Sequence, residues 1–531
     1  MVRLFTILLI FGSLLAAFGE LAGLLLPTLS WPFTAAREMD FLNWKGFPDS
    51  IWSPSGRFAW FGWFAVLAAL ALGVRLFALP QECLRATPAM RRRWRRFRSI
   101  KRGYYSFLAM VFLCALAALD QGVVGKRALF VEHEGRWYFP AFTRAVIPGS
   151  EFGLTGDRAE AEADYRLLKA HAGGPGYPSR VLMPPVPYDP TVDETPRPVE
   201  RLELREGILY RHGESTPYDG QAVRLFDSDA ESRHLRLRFR RGLKDGQAQG
   251  WNREGEEVYS ARYEKGRLVS ERYTGEGTVQ DFLAQTPESY ALIHYHPAPP
   301  PAGRHWLGTN SQGADILAYL FGGLQVNVKA ALFYLPVVYG IGLTIGMLMG
   351  YFGGMFDLGV QRVIEILAQI PFLFVIMILS DMVPVQYKGL LLIVALLSLF
   401  GWTSMSYLMR TATMKEKQRD YIATARVMGA STPRILFHHI LPNQLAIIVT
   451  LVPFSVSAVI LALASLDYLG FGLPDTYASW GRLLNDGLAN LSSPWIVTSG
   501  FAALAITLLL VTFTGEAVRE AFDPRKFTTY K

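Results

Sequence analysis

The chain has 531 residues, of which 51% are hydrophobic and 13% aromatic, while only 18% carry a charge. Several apolar runs of about 20 residues exclude an ordinary soluble domain and require a polytopic membrane protein. The net charge of +8 does not imply nucleic acid: the basic run RRRWRRFRSIKR at 91–102 lies between apolar segments, where it marks the cytoplasmic side. The two cysteines, Cys83 and Cys114, are not placed for a disulfide or a metal site.

Residues 4–26 form the first apolar run, with Glu20 near its far end. A second run at 59–79 follows soon, so the first reads as a retained span rather than a signal peptide. Residues 1–80 are thus two N-terminal transmembrane helices, and 81–102 a basic cytoplasmic loop. Residues 103–119 make a third span. With 91–102 inside, alternation puts the N-terminus inside and residues 27–58 and about 120–322 outside.

The outer segment 120–303 is long enough for a soluble inserted domain and holds a degenerate repeat. Tyr210-Arg-His-Gly213, Phe239-Arg-Arg-Gly242 and Tyr263-Glu-Lys-Gly266 share aromatic-x-x-Gly, and Asp-Gly-Gln-Ala occurs at 219–222 and 245–248. Leu235, Leu237 and Phe239 alternate with Arg236, Arg238 and Arg240, the period of a strand with one apolar face. The unit looks like a MORN-type repeat over about 200–275, which predicts an antiparallel sheet of hairpins with an arginine face. His294 and His296 alternate but have no third ligand nearby, so no metal is expected. The Pro-rich run 297–303 is a stiff linker.

The fourth span, 325–352, carries Gly342, Gly346 and Gly350 four apart on one face, a spacing that lets helix backbones approach closely. An inner loop at 353–358 leads to a fifth span, about 360–382, with Arg362 and Glu365 in its first turns and Pro371 farther in. The sixth, seventh and eighth spans follow at 388–408, 444–464 and 495–514. The fold class is mainly α: about eight transmembrane helices and a β-rich insert.

Residues 410–443 lie between the sixth and seventh spans and are polar and basic, yet helically ordered. Tyr421, Ala425 and Met428 recur at the spacing of one helix face. Gly429 interrupts the pattern, Ser431 or Thr432 can cap a second helix with Pro433 at its first position, and Pro442 ends the unit. A helix–turn–helix with apolar knobs at the membrane surface suits the docking of a partner.

This stretch resembles the coupling loop of permease subunits of bacterial ATP-binding-cassette importers. The matching positions are Ala423, Thr424 and Ala425, then Gly429, then His439, Leu441, Pro442 and Asn443; Ala423 stands where the family has Glu, and Thr424 where it has Ala. Before the fourth span, His305, Leu307, Gly308, Thr309, Gly313 and Asp315 match a second family segment, with Asn310 and Ala314 replacing charged residues. After the seventh span, Leu469, Gly470, Gly472, Trp480 and Gly481 match a third, read as a short re-entrant loop outside; the tail 515–526 matches the family's ending, with 527–531 beyond it. GRWYFPAF at 135–142 and PPVPYDP at 184–190 resemble the branch that imports oligopeptides and microcin C. The resemblance implies a six-span permease core over 103–119 and 304–526 in the bacterial inner membrane, with both termini cytoplasmic. It implies as partners a second homologous permease, two ATPase subunits, a periplasmic solute-binding protein and membrane lipid, and no nucleic acid. ATP and Mg would be bound by the ATPases, leaving this chain without a cofactor or metal.

The residues agree that the chain supplies no energy of its own. GVVGK at 122–126 lacks the spacing of a phosphate-binding loop. No nucleophile–base set or carboxylate pair is placed for hydrolysis, and no series of charges crosses the spans as a proton relay would. The alternative from another class is a membrane-anchored sensor or scaffold whose repeat domain binds envelope material.

Overall fold

The computed structural model describes residues 2–24, 32–33, 59–78 and 88–522, apart from 155–156, 175–176, 192–198, 212–213, 227–232, 254, 276, 294–295, 302–304 and 385–387. Cys83, Gly213, His294 and the tail beyond 522 lie outside the described residues. The chain divides into two compact units: residues 1–191, 319–485 and 500–531 form the first, and 192–318 with 486–499 the second. The segment read as one outer domain, 120–303, is therefore split between them.

In the first unit, α1 (Val2–Leu21) and α2 (Ala59–Ala78) pack closely, with the backbone of Gly73 against Ile10. Phe11, Phe18 and Phe64 remain exposed, as suits helices that face lipid. Glu20 at the end of α1 pairs with Arg144 at 2.5 Å. The basic run is a helix rather than a loop: α3 (Pro88–Ser99) meets α4 (Lys101–Ala118) at 96°. Arginine is a good helix former, and Trp94 and Phe97 give α3 an apolar side that packs on Ala517 and Ala521. After α4, strands β1 (Phe130–His133), β2 (Arg136–Tyr138) and β3 (Arg180–Leu182) form an antiparallel sheet of order β2-β1-β3. Its core gathers Val131, Phe152, Tyr165 and Leu168 around α5 (Tyr165–Ala170), which Asp164 caps.

The second unit is built on β4 (Val199–Arg205), β5 (Ile208–Arg211), β6 (Gly220–Leu225), β7 (Arg233–Arg240), β8 (Leu243–Trp251), β9 (Glu257–Glu264), β10 (Arg267–Tyr273) and β11 (Ala291–Ile293). They form one antiparallel sheet of order β10-β9-β8-β7-β6-β11-β4-β5. The turns fall at Glu206-Gly207, Arg241-Gly242 and Lys265-Gly266, where both residues have positive φ, the two-residue hairpin turn. The same turn thus follows Leu204 as follows Phe239 and Tyr263, while the Gly213 end of the Tyr210 copy lies outside the described residues. The two Asp-Gly-Gln-Ala copies put Ala222 and Ala248 in one row across the sheet, in register with Leu237 and Ala261. Leu235, Leu237 and Phe239 are buried, whereas Arg238 and Arg240 are exposed. Phe282 of α6 (Val279–Ala284) covers the apolar face against Tyr259, Tyr273 and His234.

The long helices follow. They are α7 (Ile316–Phe352), α8 (Gly354–Gln369), α9 (Phe372–Asp381), α10 (Leu390–Lys417), α11 (Asp420–Val427), α12 (Thr432–Tyr468), α13 (Trp480–Ala489) and α14 (Pro494–Phe522). Among the described residues, α7, α10, α12 and α14 are long and apolar enough to cross a membrane, and the bent pairs α3–α4 and α8–α9 raise the number to six. The eight expected spans also count α1 and α2, whose apolar helical stretches are shorter. The span expected over 360–382 is broken: α8 and α9 meet at 79°. Pro371 lacks an amide donor and forces Ile370 into an extended conformation, which ends α8.

Candidate functional site

The 410–443 stretch is a hairpin hung from α10 and α12. Gly429, at φ +79°, closes α11 with a paired cap: its own N–H donates to the Arg426 carbonyl at 3.0 Å, and the Ala430 N–H donates to that of Ala425 at 3.0 Å. A methyl group there would meet no atom within 4 Å, so the left-handed backbone, not crowding, requires glycine. Ser431 occupies the N-cap position of α12 but makes no side-chain cap bond. Pro442 does not end the unit. A π-helical turn over Ile435–Ile440 precedes it, and α12 continues without interruption to Tyr468. The wider turn moves the carbonyl that the proline ring would otherwise strike.

The face of α11 that is buried is not the one the spacing suggests. Ile422 is fully buried and packs into the core that holds Ile435, Leu436, Ile440, Met405 and Met409. Ala425 is half-buried, and Tyr421, Ala423 and Thr424 are exposed. At the tip, Val427 is 89% and Met428 81% exposed. Two large apolar side chains are thus held in the open beside the Gly429 turn.

Polar bonds fix this hairpin to the long helices. Asn443 Nδ2 donates to Tyr421 Oη at 2.8 Å and to the His439 carbonyl at 3.0 Å, and Tyr421 Oη donates to Glu416 at 2.6 Å. Burial, then the bond to Glu416, raises the Tyr421 phenol above its ordinary range, so it stays a donor. Leu441 packs half-buried against the same core. Beneath the hairpin, Lys417 Nζ donates to the Tyr351 carbonyl at 2.5 Å, and the cations of Lys417 and Arg426 lie 5.7 and 5.5 Å from the Tyr351 ring. Arg410 grips buried Asp357 through two bonds of 2.5 and 2.6 Å. Arg362 and Glu365 pair at 2.6 Å in an exposed position, where such a pair contributes little.

Gly342, Gly346 and Gly350 all face α10. A methyl on Gly342 would lie 2.7 Å from Met405 Cβ, one on Gly346 2.9 Å from Ser406 Cα, and one on Gly350 2.5 Å from the Arg410 carbonyl. Ser406 Oγ donates across this contact to the Gly342 carbonyl at 3.2 Å.

The two remaining motifs staple helix ends. In the second unit, His305 Nδ1 and Asp315 Oδ2 are 2.8 Å apart and both buried, while Asp315 Oδ1 accepts the Ala318 N–H at 2.8 Å and so caps α7. Thr309 Oγ1 accepts from the Ala298 N–H at 2.8 Å and lies 2.9 Å from His296 Nδ1. Gly308 and Gly313 have positive φ, and Leu307 is half-buried. Asn310 accepts the N–H groups of Gln312 and Ala314 at 3.1 and 2.8 Å, a role that needs no charge.

In the first unit, Gly470 turns the chain at φ +83° after α12, and Leu469 is exposed. Buried Asp467 accepts from the Leu473 N–H at 2.7 Å and from Ser479, and Gly472 leaves the space its carboxylate fills. Gly481 lies against the Ala464 carbonyl carbon, and Trp480 Nε1 donates to the Leu320 carbonyl of α7 at 2.9 Å. Residues 469–479 are thus a stapled turn leading into α13. The GVVGK segment is also structural: Val124 is buried and pairs with Val186. No group of three metal-ligating side chains occurs among the described residues.

Sequence reasoning passed over Ile422, Tyr351, Asp357, Arg410 and Glu416. Asp357 and Arg410 carried a signal, since each is a lone charge at the edge of an apolar run. Tyr351 carried none.

The family model described as "Binding-protein-dependent transport system inner membrane component" matches residues 342–528. The inner membrane ABC transporter permease protein YejE of Escherichia coli (strain K12) is 30% identical over 442 residues, covering 83% of this chain and 99% of that relative. The peptidoglycan transport system permease protein YejE of Agrobacterium fabrum is 36% identical over 222 residues, 42% of this chain and 58% of the relative. The oligopeptide transport system permease protein OppC of Bacillus subtilis is 31% identical over 227 residues, 43% of this chain and 73% of the relative. These matches do not favour a sensor or scaffold.

Proposed function

We propose how this chain works from one premise: it belongs to the family of binding-protein-dependent transport system inner membrane components. It is the permease subunit of an ATP-binding-cassette importer that passes peptides across the inner membrane, and it is not itself an enzyme. ATPase and substrate-binding subunits are its partners. In the assembly we infer, one second permease completes the gate, two ATPases hold ATP and Mg, and a solute-binding protein delivers the peptide. The termini and the 410–443 hairpin face the cytoplasm, and 120–322 face the periplasm, with the MORN-like sheet a periplasmic appendage.

In this reading α11 is the coupling helix. The exposure of Val427 and Met428 beside the Gly429 cap carries the reading, because they are by far the most exposed large apolar side chains of the hairpin, next to a turn that its backbone bonds fix. With Ala423 in place of an acid, the ATPase grips this tip by apolar contact. ATP-driven approach of the two ATPases pushes α11, and its anchors pass the displacement to α7, α10 and α12.

The test is Val427→Ser with Met428→Ser in the reconstituted complex, reading peptide uptake and ATP hydrolysis together. Both side chains are in solvent, so folding and insertion are expected to persist. Uptake per ATP is expected to fall by at least about tenfold, the effect of deleting an apolar contact of roughly 1.4 kcal/mol or more. Undiminished uptake at an undiminished ATP ratio overturns the assignment.

A further inference from the structure

We propose that α3 is a docking strip for anionic phospholipid headgroups at the membrane surface; this rests on the reading of α4 as a membrane-spanning helix. At a rise of 1.5 Å per residue, the 18 residues of α4 extend about 27 Å, close to the thickness of the hydrocarbon layer. Because α3 turns away from α4 by 96°, it runs along the membrane plane and not through it.

Its underside is fixed. Phe97 is buried against Ala517 and Ala521, Trp94 stacks on Phe97 with centroids 5.5 Å apart, and Arg93 lies 4.9 Å over the Phe522 ring. The carboxylates beside it are already engaged: Glu516 pairs with Arg102 at 2.7 Å, and Glu520 lies 4.0 Å from Arg96. The outer face is different. Arg91, Arg92, Arg95 and Arg98 are all exposed, and α3 contains no acid. Arg91, Arg95 and Arg98 are four and three residues apart, so they form one stripe along the helix. The Arg98 guanidinium rests 5.7 Å over the Tyr104 ring, next to Tyr105, at the end of α4 where aromatic side chains meet the interface.

A straight row of guanidinium groups, lying flat at headgroup depth with its apolar side occupied, complements a row of phosphates. Guanidinium matches phosphate through two parallel bonds, and clusters of basic residues beside a span attract anionic lipid. The chemistry therefore selects phosphatidylglycerol-type headgroups over zwitterionic ones.

The experiment reconstitutes the full complex in phosphatidylcholine vesicles and measures, by electron spin resonance, how strongly spin-labelled phosphatidylglycerol and phosphatidylcholine associate with the protein. Wild type is expected to prefer phosphatidylglycerol at low salt and to lose much of that preference as salt rises. The fourfold variant Arg91→Gln, Arg92→Gln, Arg95→Gln, Arg98→Gln is expected to lower the preference by at least about threefold, while Lys at the same four positions keeps most of it. An unchanged preference in the Gln variant overturns the proposal. So does loss in the Gln and Lys variants alike, or a Gln variant that loses only its ATPase subunits. Resistance of each variant to alkaline extraction, with peptide uptake per ATP in the same vesicles, checks separately that the chain stays embedded and working, so the permease reading survives a negative lipid result.

Discussion

Replacing Ile422 by alanine tests whether the helix proposed to receive the ATPase is held by one buried side chain. α11 has eight residues, too few for a stable helix in isolation, so its folding and its docking are one event. Ile422 is fully buried among Ile435, Leu436 and Ile440 and is the only buried side chain of α11. Removing its outer carbons costs about 2–4 kcal/mol, transfer and cavity together, which raises the undocked population roughly 30- to 1,000-fold. Ile422→Val removes one methylene and costs about 1 kcal/mol, or roughly fivefold. Hydrogen exchange in the reconstituted complex reads this directly. Amide protection across 420–428 should fall in that graded order, while protection in the middle of α10 stays unchanged. Uptake per ATP should fall in the same order. Unaltered protection of α11 in the alanine variant would refute the reasoning, because the helix would then be held by something other than Ile422.

Asn443→Ala removes two donated bonds, to Tyr421 and to the His439 carbonyl, and should loosen α11 by about 1 kcal/mol. Combined with Tyr421→Phe its effect on exchange should be less than additive, since both break one bond. Gly346→Ala should lower the melting temperature of the complex, at a cost of about 1–3 kcal/mol, because its methyl meets the backbone of Ser406. Gly340→Ala, with nothing within 4 Å, should leave it unchanged or higher. His234 in the insert is held neutral by burial, then by nearby Arg224, and its pKa falls from 6.5 to about 4. The unfolded chain takes up that proton first, so the stabilisation is complete above 6.5 and is lost as pH falls from 6.5 toward 4. Amide protection of β7 and β8, corrected for intrinsic exchange, should therefore decline over that window, and His234→Phe should abolish the decline.

The sequence could disclose what depends on local chemistry. The alternation of Leu235, Leu237 and Phe239 with arginines announces a one-faced strand, and the glycines at 242 and 266 announce its turns. The spacing of Gly342, Gly346 and Gly350 foretells a close helix contact, although not that α10 is the partner. What failed did so where tertiary packing overrides spacing. In α11, Tyr421, Ala425 and Met428 have the right period, but Ile422 is the residue the core accepts. The arginine run reads as a basic cytoplasmic loop, and that reading does not foresee the helix that packs Trp94 and Phe97 on Ala517 and Ala521. Pro442 reads as a stop because the π-helical turn that accommodates it has no signature in composition. The turn after Leu204 escapes the aromatic-x-x-Gly pattern because leucine stands there in place of an aromatic ring.

The way the hairpin is tied down also limits how force can leave it. Tyr351, at the end of α7, takes both the Lys417 bond and the cation contact with Arg426, so in the proposed coupling a push on α11 reaches α7 as well as α10 and α12. α7 is 37 residues long, about 55 Å as a straight helix. Over about 12 Å near its C-terminal end three glycines hold it against α10, which suppresses sliding of one helix past the other. Far from Tyr351, Trp480 bonds the Leu320 carbonyl and thereby ties α7 to the turn after α12. In the proposed coupling, displacement at the tip therefore moves α7, α10 and the α12 turn together. Pro336 in the middle of α7 and Pro453 inside α12 each remove one backbone bond, so both helices have a point where bending costs less. Helices tied at both ends and softened near their middles suit the rocking gate proposed above better than separate helix rotations.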